Sequence, residues 1–330
     1  MRAAIFHEHG GPEVVRIEDV PAPEPGPGEV LVRVAASALN HLDLWVRRGL
    51  PIETTMPHIG GSDVAGWVHG DIPVVVNPSL YCGECEWCQR GEDPLCLRYR
   101  ILGEHTNGGF AEYVAVPETN LLRLPDGFPP ERAAAGTLAY LTAWRGLVTR
   151  ARLQPGESVL VTGASGGVAT AAVQIAKHVG ARVYAVTTGE HVEAVRALGA
   201  DVVYDRTRVD FAKQLWQDTG KRGVDVVLDS VGSATWAGVF RSLARLGRLV
   251  VYGATTGPEA HFDLRVLFWK QCEILGTTMS TQAEFEAVMA LVLDGTLVPV
   301  IDTVLPLEQA RAAHERLEAG EQFGKIVLVP

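Results

Sequence analysis

Nowhere in this chain do about 18 apolar residues run together, the length a membrane-crossing helix requires. Residues 1–15, MRAAIFHEHGGPEVV, contain no apolar core segment of the secretory type. Both absences argue against export and bilayer insertion, and a cytoplasmic location is the expectation. Positive charge is also in short supply. Lys and Arg number 29 against 39 Asp and Glu, a net charge of −10, with no basic run or basic patch interleaved with aromatics. Nucleic acid and anionic membrane are therefore excluded as expected partners. Cysteine is scarce at five in 330 residues, which in a reducing compartment points away from disulfides. Internal repeats and low-complexity tracts are missing, and an apolar content of 47% is too high for a disordered chain. A chain of 330 residues exceeds what one core usually serves, so two domains are expected.

Four of the five cysteines crowd into one short segment. Cys82, Cys85, Cys88 and Cys96 are separated by two, two and seven residues. Thiolates three residues apart on a tight turn converge on one ion, and a fourth from a nearby loop closes a tetrahedron around Zn²⁺. Four sulfurs leave no open coordination position, so such a site stabilises its lobe and takes no substrate. An iron–sulfur cluster is the competing reading, since the first three spacings also suit one. The bacterial ferredoxin run has its last Cys after three residues and then Pro, however, whereas Cys96 follows seven and precedes Leu97. Cys272, alone in an apolar context, reads as a core residue.

The most informative stretch is 159–188. Val159-Leu160-Val161-Thr162 has the apolar continuity of a strand buried on both faces, and it stops at a glycine cluster. Ala172, Val173, Ile175, Ala176 and Val179 then recur at helical spacing, Gly180 closes the helix, and 182–186 reads as a second strand. The turn Gly163-Ala164-Ser165-Gly166-Gly167-Val168-Ala169 thus lies between a strand and a helix start. There, free backbone N–H groups and the helix dipole favour a phosphate. Gly166 and Gly167 allow the backbone to approach a pyrophosphate, and Ala169 takes the place of the third glycine of the dinucleotide fingerprint. The alternative is an ordinary tight turn; the strand–turn–helix context favours a dinucleotide site at Ala164, Ser165, Gly166, Gly167 and Val168.

Before this unit, 1 to about 120 reads as β structure, with strand-like runs at 14–17, 30–34, 74–76 and 113–116 and a proline-rich break at 21–28. A small, irregular β barrel is expected. Helices are predicted from near Pro130 through Ala135 and over 139–149. After Pro155-Gly156, strands at 202–204, 224–228, 249–252 and 273–275 alternate with helices at 192–198, 211–218 and 235–246. With the two strands of the opening unit this makes six, the count of a complete doubly wound sheet. The last stretch, with a helix over 283–294, a strand at 303–305, a helix over 307–319 and a strand at 325–329, breaks the rhythm and is expected to return to the first domain.

A β-rich N-terminal part, a four-cysteine lobe of this spacing, a GASGGVA turn and an ending Phe323-Gly324-Lys325-Ile326-Val327-Leu328 together resemble the medium-chain dehydrogenase/reductase superfamily over nearly the whole chain. The resemblance implies an α/β protein: a GroES-like β-barrel catalytic domain plus a Rossmann domain built on a doubly wound parallel sheet. The implied boundaries are 1–124 with the zinc lobe at 81–97, 125–276, and 277–330 completing the catalytic domain. It implies a cleft between the domains, a small-molecule substrate, and NAD(H) or NADP(H) as hydride carrier. Zinc alcohol dehydrogenases of the superfamily hold a second, catalytic zinc through Cys, His and usually another Cys or Glu. Here Asn40 occupies the place of that cysteine, Leu42 replaces the Ser or Thr of the proton relay, and Ser62 stands where the histidine is expected. No cysteine is near Ala134 for the remaining ligand. Asn40-x-x-Asp43 with Ala164-Ser165-Gly166-Gly167-Val168 instead resembles the quinone oxidoreductase branch, which works without a catalytic metal. The hairpin at Trp67-Val68-His69-Gly70-Asp71 is shorter than the family's usual one.

The resulting expectation is an NAD(P)H-dependent oxidoreductase that passes hydride to a quinone, enone or other activated carbonyl compound, with zinc confined to the cysteine lobe. Such a reaction needs proximity and a donor to developing oxyanion charge more than a Lewis acid. Asn40 is the candidate donor, with a plain turn as the alternative; Asp43 is expected to orient backbone or cofactor, with a purely structural carboxylate as the alternative. The resemblance puts His41 on the pyrophosphate side and Thr142 on the nicotinamide side. Thr187 stands where NAD-specific members carry the Asp that binds the ribose hydroxyls; with Thr188 and His191 following, this favours NADPH over NADH. One rival function is an alcohol dehydrogenase whose catalytic zinc uses His41, His58, Asp63 or His105. Another is a non-catalytic nucleotide sensor or lens-type protein on the same fold. The family's habit of pairing through its last Rossmann strand implies a homo-oligomer, dimer or tetramer, formed near 273–277.

Overall fold

The computed structural model describes residues 1–51 and 54–330. It divides into two compact units, Met1–Leu141 with Ser280–Pro330, and Thr142–Met279. Among the described residues no helix is long and apolar enough to cross a membrane.

The first unit is built on the strand Glu29–Ala38, whose last three residues are all buried. It lies within a seven-stranded sheet that runs Leu121–Arg123, Ile72–Val76, Asp63–Val68, Glu29–Ala38, Lys325–Val329, Ile301–Pro306, with Tyr113–Pro117 also paired to Glu29–Ala38. Lys325–Val329 docks antiparallel on Ser37 and Ala38, so the C-terminal stretch does return to this unit. A smaller antiparallel sheet joins Arg16–Asp19, Arg2–Phe6 and His58–Ile59. One apolar core, including Ile5, Leu39, Leu44, Phe110, Leu317 and Leu328, draws on both ends of the chain.

The second unit carries a six-stranded sheet, all neighbours parallel, in the order Val202–Asp205, Arg182–Thr187, Ser158–Val161, Val224–Asp229, Leu243–Val251, Glu273–Gly276. Counted along the chain this is 3-2-1-4-5-6, the doubly wound order. The helix Gly167–Val179 lies against it through buried Ala169, Ala171, Ala172 and Ala176, small enough to bring helix and strand close.

Several expected elements are displaced. The first boundary falls after Leu141, not 124, because the helix Pro130–Ala135 packs its fully buried Ala133, Ala134 and Ala135 on strands Glu29–Ala38 and Asp63–Val68. The second falls after Met279 where 276 was expected, since Thr277 N–H still bonds Val251 O across the parallel sheet. The predicted strand at 14–17 is a 3₁₀ turn at Pro12–Val14 followed by a strand at Arg16–Asp19, proline fixing the turn. Strand Arg2–Phe6 was not predicted at all. The helix predicted over 235–246 stops at Ser242, and Leu243 begins a strand, because Leu243 and Ala244 are buried in the sheet and not on a helix face. The helix predicted over 139–149 is α only over Leu138–Trp144 and continues as a π-helical turn, Arg145–Arg150. Within that turn a Cβ on Gly146 would stand 3.1 Å from Leu228, so glycine lets the segment lie close against the sheet.

Candidate active site and metal centre

The cysteine lobe forms where the chain makes two tight turns, one through Gly83 at φ +74° and one through Gly91 at φ +72°. Sulfur separations are 3.9 Å for Cys82–Cys88, 3.6 Å for Cys85–Cys88 and 3.5 Å for Cys82–Cys96. A tetrahedron with Zn–S bonds of about 2.3 Å has edges of about 3.8 Å, so the four sulfurs fit a single ion and leave no room for a multi-iron core. Backbone N–H groups point at them: Cys85 to Cys82 at 3.4 Å, Cys82 to Cys96 at 3.4 Å and Arg98 to Cys96 at 3.3 Å. Those amides, Glu84 and Cys85 first, lower the Cys82 pKa to about 6, the thiolate form a metal requires.

In the nucleotide turn, Gly163 takes φ +57° and Ala164 N–H bonds Val186 O at 2.9 Å, which ties the turn to the second strand. The helix begins at Gly167, and Thr170 is the first residue whose N–H reaches back to a carbonyl of the turn, Gly166 O at 2.8 Å. The N–H groups of Gly167, Val168 and Ala169 have no such intrahelical partner and point out of the helix start, the arrangement that can take a phosphate. Buried Asp229 braces the facing turn by accepting Thr162 Oγ1 at 2.6 Å, Thr235 Oγ1 at 2.8 Å and Gly232 N at 3.0 Å.

Thr187 closes its strand with a buried side chain, followed by Thr188 and a 3₁₀ turn, Gly189–His191. Register brings Asp205 opposite Thr187, and Arg206 N–H bonds Thr187 O at 3.0 Å. Asp205 accepts both the N–H and hydroxyl of Thr207 and lies 3.5 Å from Arg208; these hydrogen bonds hold its pKa below the usual range. A cavity of about 400 Å³ opens here, with Gly189, Glu193, Arg196, Asp205 and Arg208 in its wall. Sequence reasoning missed Asp205 and Arg206 because they reach this position only through pairing with the next strand. Thr142, the nicotinamide-side candidate, is buried within helix Leu138–Trp144.

Asn40 caps the helix His41–Arg48. Asp43 completes a capping box, with Asn40 N–H donating to Asp43 Oδ2 at 2.7 Å, and its other oxygen accepts Gly61 N–H at 2.9 Å. Burial pushes the Asp43 pKa up to about 6 against those two bonds. The Asn40 side chain is held from both ends: Nδ2 donates to Asp63 Oδ2 at 3.0 Å, and Oδ1 accepts from Lys325 Nζ. Lys325 also reaches Asp63 at 2.9 Å, and the remaining Asp63 oxygen accepts Thr137 Oγ1 and Leu138 N–H. Lys325 is 3% exposed and Asp63 0%. Lys325 was not singled out from the sequence, although it stands inside the Phe323–Leu328 motif. It arrives because Gly324, at φ +90°, passes Val300 O where a Cβ would clash at 2.4 Å. His41 is kept neutral by burial first and then by Lys325 and Arg48.

The four candidate substitute ligands do not gather. His58 Nε2 is bonded to Gly103 O at 3.0 Å, His105 Nδ1 accepts Ile101 N–H at 3.2 Å, and Asp63 is enclosed by its four donors. Among the described residues, the four cysteines are the one group of three or more His, Cys, Asp or Glu whose ligand atoms converge.

Residues 26–126 match the model of the alcohol dehydrogenase GroES-like domain, and 167–294 that of the zinc-binding dehydrogenases. A crystal structure of an NAD-dependent alcohol dehydrogenase is 44% identical, with a TM-score of 0.95 over all of both chains. An acryloyl-coenzyme A reductase of Sulfurisphaera tokodaii is 32% identical across 96% of each chain. A human quinone oxidoreductase is 32% identical across 100% of this chain and 98% of its own.

Proposed function

This chain belongs to the zinc-binding dehydrogenases of the medium-chain dehydrogenase/reductase superfamily and is an NAD(P)-dependent oxidoreductase, and from that premise we propose that it reduces quinones, enones or similarly activated carbonyl compounds with no metal at the reacting centre. The observation that carries this reading is the donor set around Asn40. Asn40 and Ser62 offer no basic metal ligands, and no converging group of His, Cys, Asp or Glu stands among the described residues outside the cysteine lobe. The relatives named as acryloyl-coenzyme A and quinone reductases agree with it.

The nucleotide, held at Gly163–Ala169, supplies hydride. Asn40 meets the oxygen that gains charge. Its second amide hydrogen has only a long contact of 3.4 Å to Ala38 O, and the ammonium of Lys325 on Oδ1 polarises the amide and makes that hydrogen a better donor. Asp43 fixes the Asn40 backbone. The four cysteines hold a structural Zn²⁺. Thr187 removes a carboxylate that would repel a 2′-phosphate and Arg206 adds a nearby cation, which favours NADPH; the Asp205 carboxylate beside them is the observation in favour of NADH.

A second reading, alcohol oxidation, is favoured by the 44% identical alcohol dehydrogenase. The deciding experiment offers NADPH and NADH with quinones, enones and aldehydes, and NAD(P)⁺ with alcohols, while zinc is measured on the same sample. Quinone or enone reduction with a single zinc per chain is expected. Alcohol oxidation that needs a second equivalent of zinc would overturn the reading.

A further inference from the structure

Three carboxyl groups are buried near the Asn40 loop: Asp43, Asp63 and Glu104, at 3%, 0% and 8% exposure. Each oxygen of Asp43 and Asp63 has a donor, as described above. Glu104 differs. Its Oε2 is buried and has no hydrogen-bond partner. His105 Nδ1 lies 3.5 Å from that oxygen, but it already accepts the Ile101 N–H and has no proton to give; burial lowers its pKa further.

Backbone packing places Glu104 beside the Asn40 loop. Gly103 is pressed against Gly61, so that a Cβ on Gly103 would stand 2.6 Å from the Gly61 carbonyl carbon. Gly61 in turn gives its N–H to Asp43 Oδ1. Ser62 and Glu104 flank that contact, and Ser62 Oγ is also buried without a partner. Two buried O–H groups that lack an acceptor in the protein match the needs of an oxygen that acquires negative charge. The charged or titratable groups facing Glu104 are Asp43, His105 and His58, whose ring bonds the Gly103 carbonyl. Burial, and then the Asp43 charge, raise the Glu104 pKa to about 7, where an acid both holds its proton and releases it at neutral pH.

We propose that Glu104 is a further catalytic residue, the acid that protonates the substrate oxygen during reduction. This deepens the quinone and enone reading and rests on it. Reduction adds H⁻ and H⁺. Hydride from the nucleotide bonds to the electron-poor carbon and pushes the π electrons onto oxygen. The Glu104 O–H bond breaks, its electrons stay on the carboxylate, and the proton forms the new O–H of an enol; a quinone product then tautomerises to the hydroquinone, its ring C–H proton passing to solvent as the second oxygen takes one up. Water then returns a proton to Glu104.

The test pairs Glu104→Gln and Glu104→Asp with wild type. Infrared difference spectra of the nucleotide-free protein should show a protonated carboxyl band that titrates near pH 7 and is missing in Glu104→Gln. Turnover with a quinone or enone should be flat below about pH 6 in wild type and fall above about pH 7. In Glu104→Gln, kcat should drop about 100-fold and lose that limb, with NADPH affinity unchanged; Glu104→Asp should keep a limb. A Glu104→Gln kcat within about twofold of wild type, or no titrating band, would overturn the proposal alone. Wild type that reduces no quinone or enone at any pH would overturn the parent reading and this step with it.

Discussion

Arg47 is completely buried, and three groups compensate it: Gly10 O at 3.2 Å, His314 Nδ1 at 3.2 Å and Glu318 Oε2 at 2.7 Å. An arginine always donates, so His314 must accept at Nδ1 and remain neutral. Burial first, and the Arg47 charge second, push its pKa down to about 3. Between pH 6.5 and 3 the unfolded chain therefore binds a proton that the folded chain refuses. Stability is lost as the pH is lowered through that window, by about 1.4 kcal/mol per unit from this group. Asp43 and Glu104, raised to about 6 and 7, act in the opposite sense: the fold retains their protons, so their contribution is present at low pH and lost as pH rises through those values. Comparing His314→Asn with wild type isolates the histidine. The variant should be less stable at pH 7 but lose less Tm by calorimetry between pH 6.5 and 4.5; parallel Tm curves would show that His314 does not stay neutral.

At the scale of elements, the lobe around Cys82–Cys96 has little of its own to hold it. It contains a four-residue helix, Glu86–Gln89, a 3₁₀ turn, Asp93–Leu95, and exposed Leu95 and Leu97. A metal ion held by the four cysteines would supply its order. Stripping zinc with a strong chelator should make the segment around 82–98 sensitive to protease and lower Tm, while the NAD(P)H affinity of the separate Rossmann unit stays within about twofold; Cys96→Ser should do the same without chelator. A stripped protein with unchanged digestion and Tm would remove the structural role. That this lobe and the Gly163–Ala169 turn could be read from sequence follows from their locality: each is a spacing of a few residues on one turn. The Lys325–Asp63–Asn40 cluster was not legible for the opposite reason. It joins residues from two strands and a helix cap, and nothing in Lys325's own neighbourhood marks it as buried. The same holds for Asp205, which reaches Thr187 only through parallel register, and for the helix end at Ser242, where a helical apolar period conceals the start of a buried strand.

For the molecule as a whole, the chain leaves the first unit after Leu141, completes the doubly wound sheet, and returns at Ser280 to supply the strand that carries Lys325. The second unit consequently ends on an open sheet edge, Glu273–Gly276, which among the described residues pairs on one side only. The helix just before it, Leu264–Lys270, holds Leu264, Phe268 and Trp269 at 66%, 63% and 70% exposure, and Ile274 on the edge strand is exposed as well. Apolar side chains of this size in contiguous sequence beside an unpaired edge are an association hazard unless covered. A second copy satisfies both demands at once. A two-fold axis at the edge would bring Glu273–Gly276 antiparallel to its own equivalent, continuing the sheet, and would cover the exposed side chains of the preceding helix. The protein should therefore sediment as a dimer or a multiple of one. Phe268→Asp combined with Trp269→Asp should shift it to monomer at micromolar concentration without altering NAD(P)H binding, because the substitutions lie far along the chain from Gly163–Ala169 and on exposed positions. Monomeric wild type, or a dimer indifferent to both aspartates, would place the contact elsewhere.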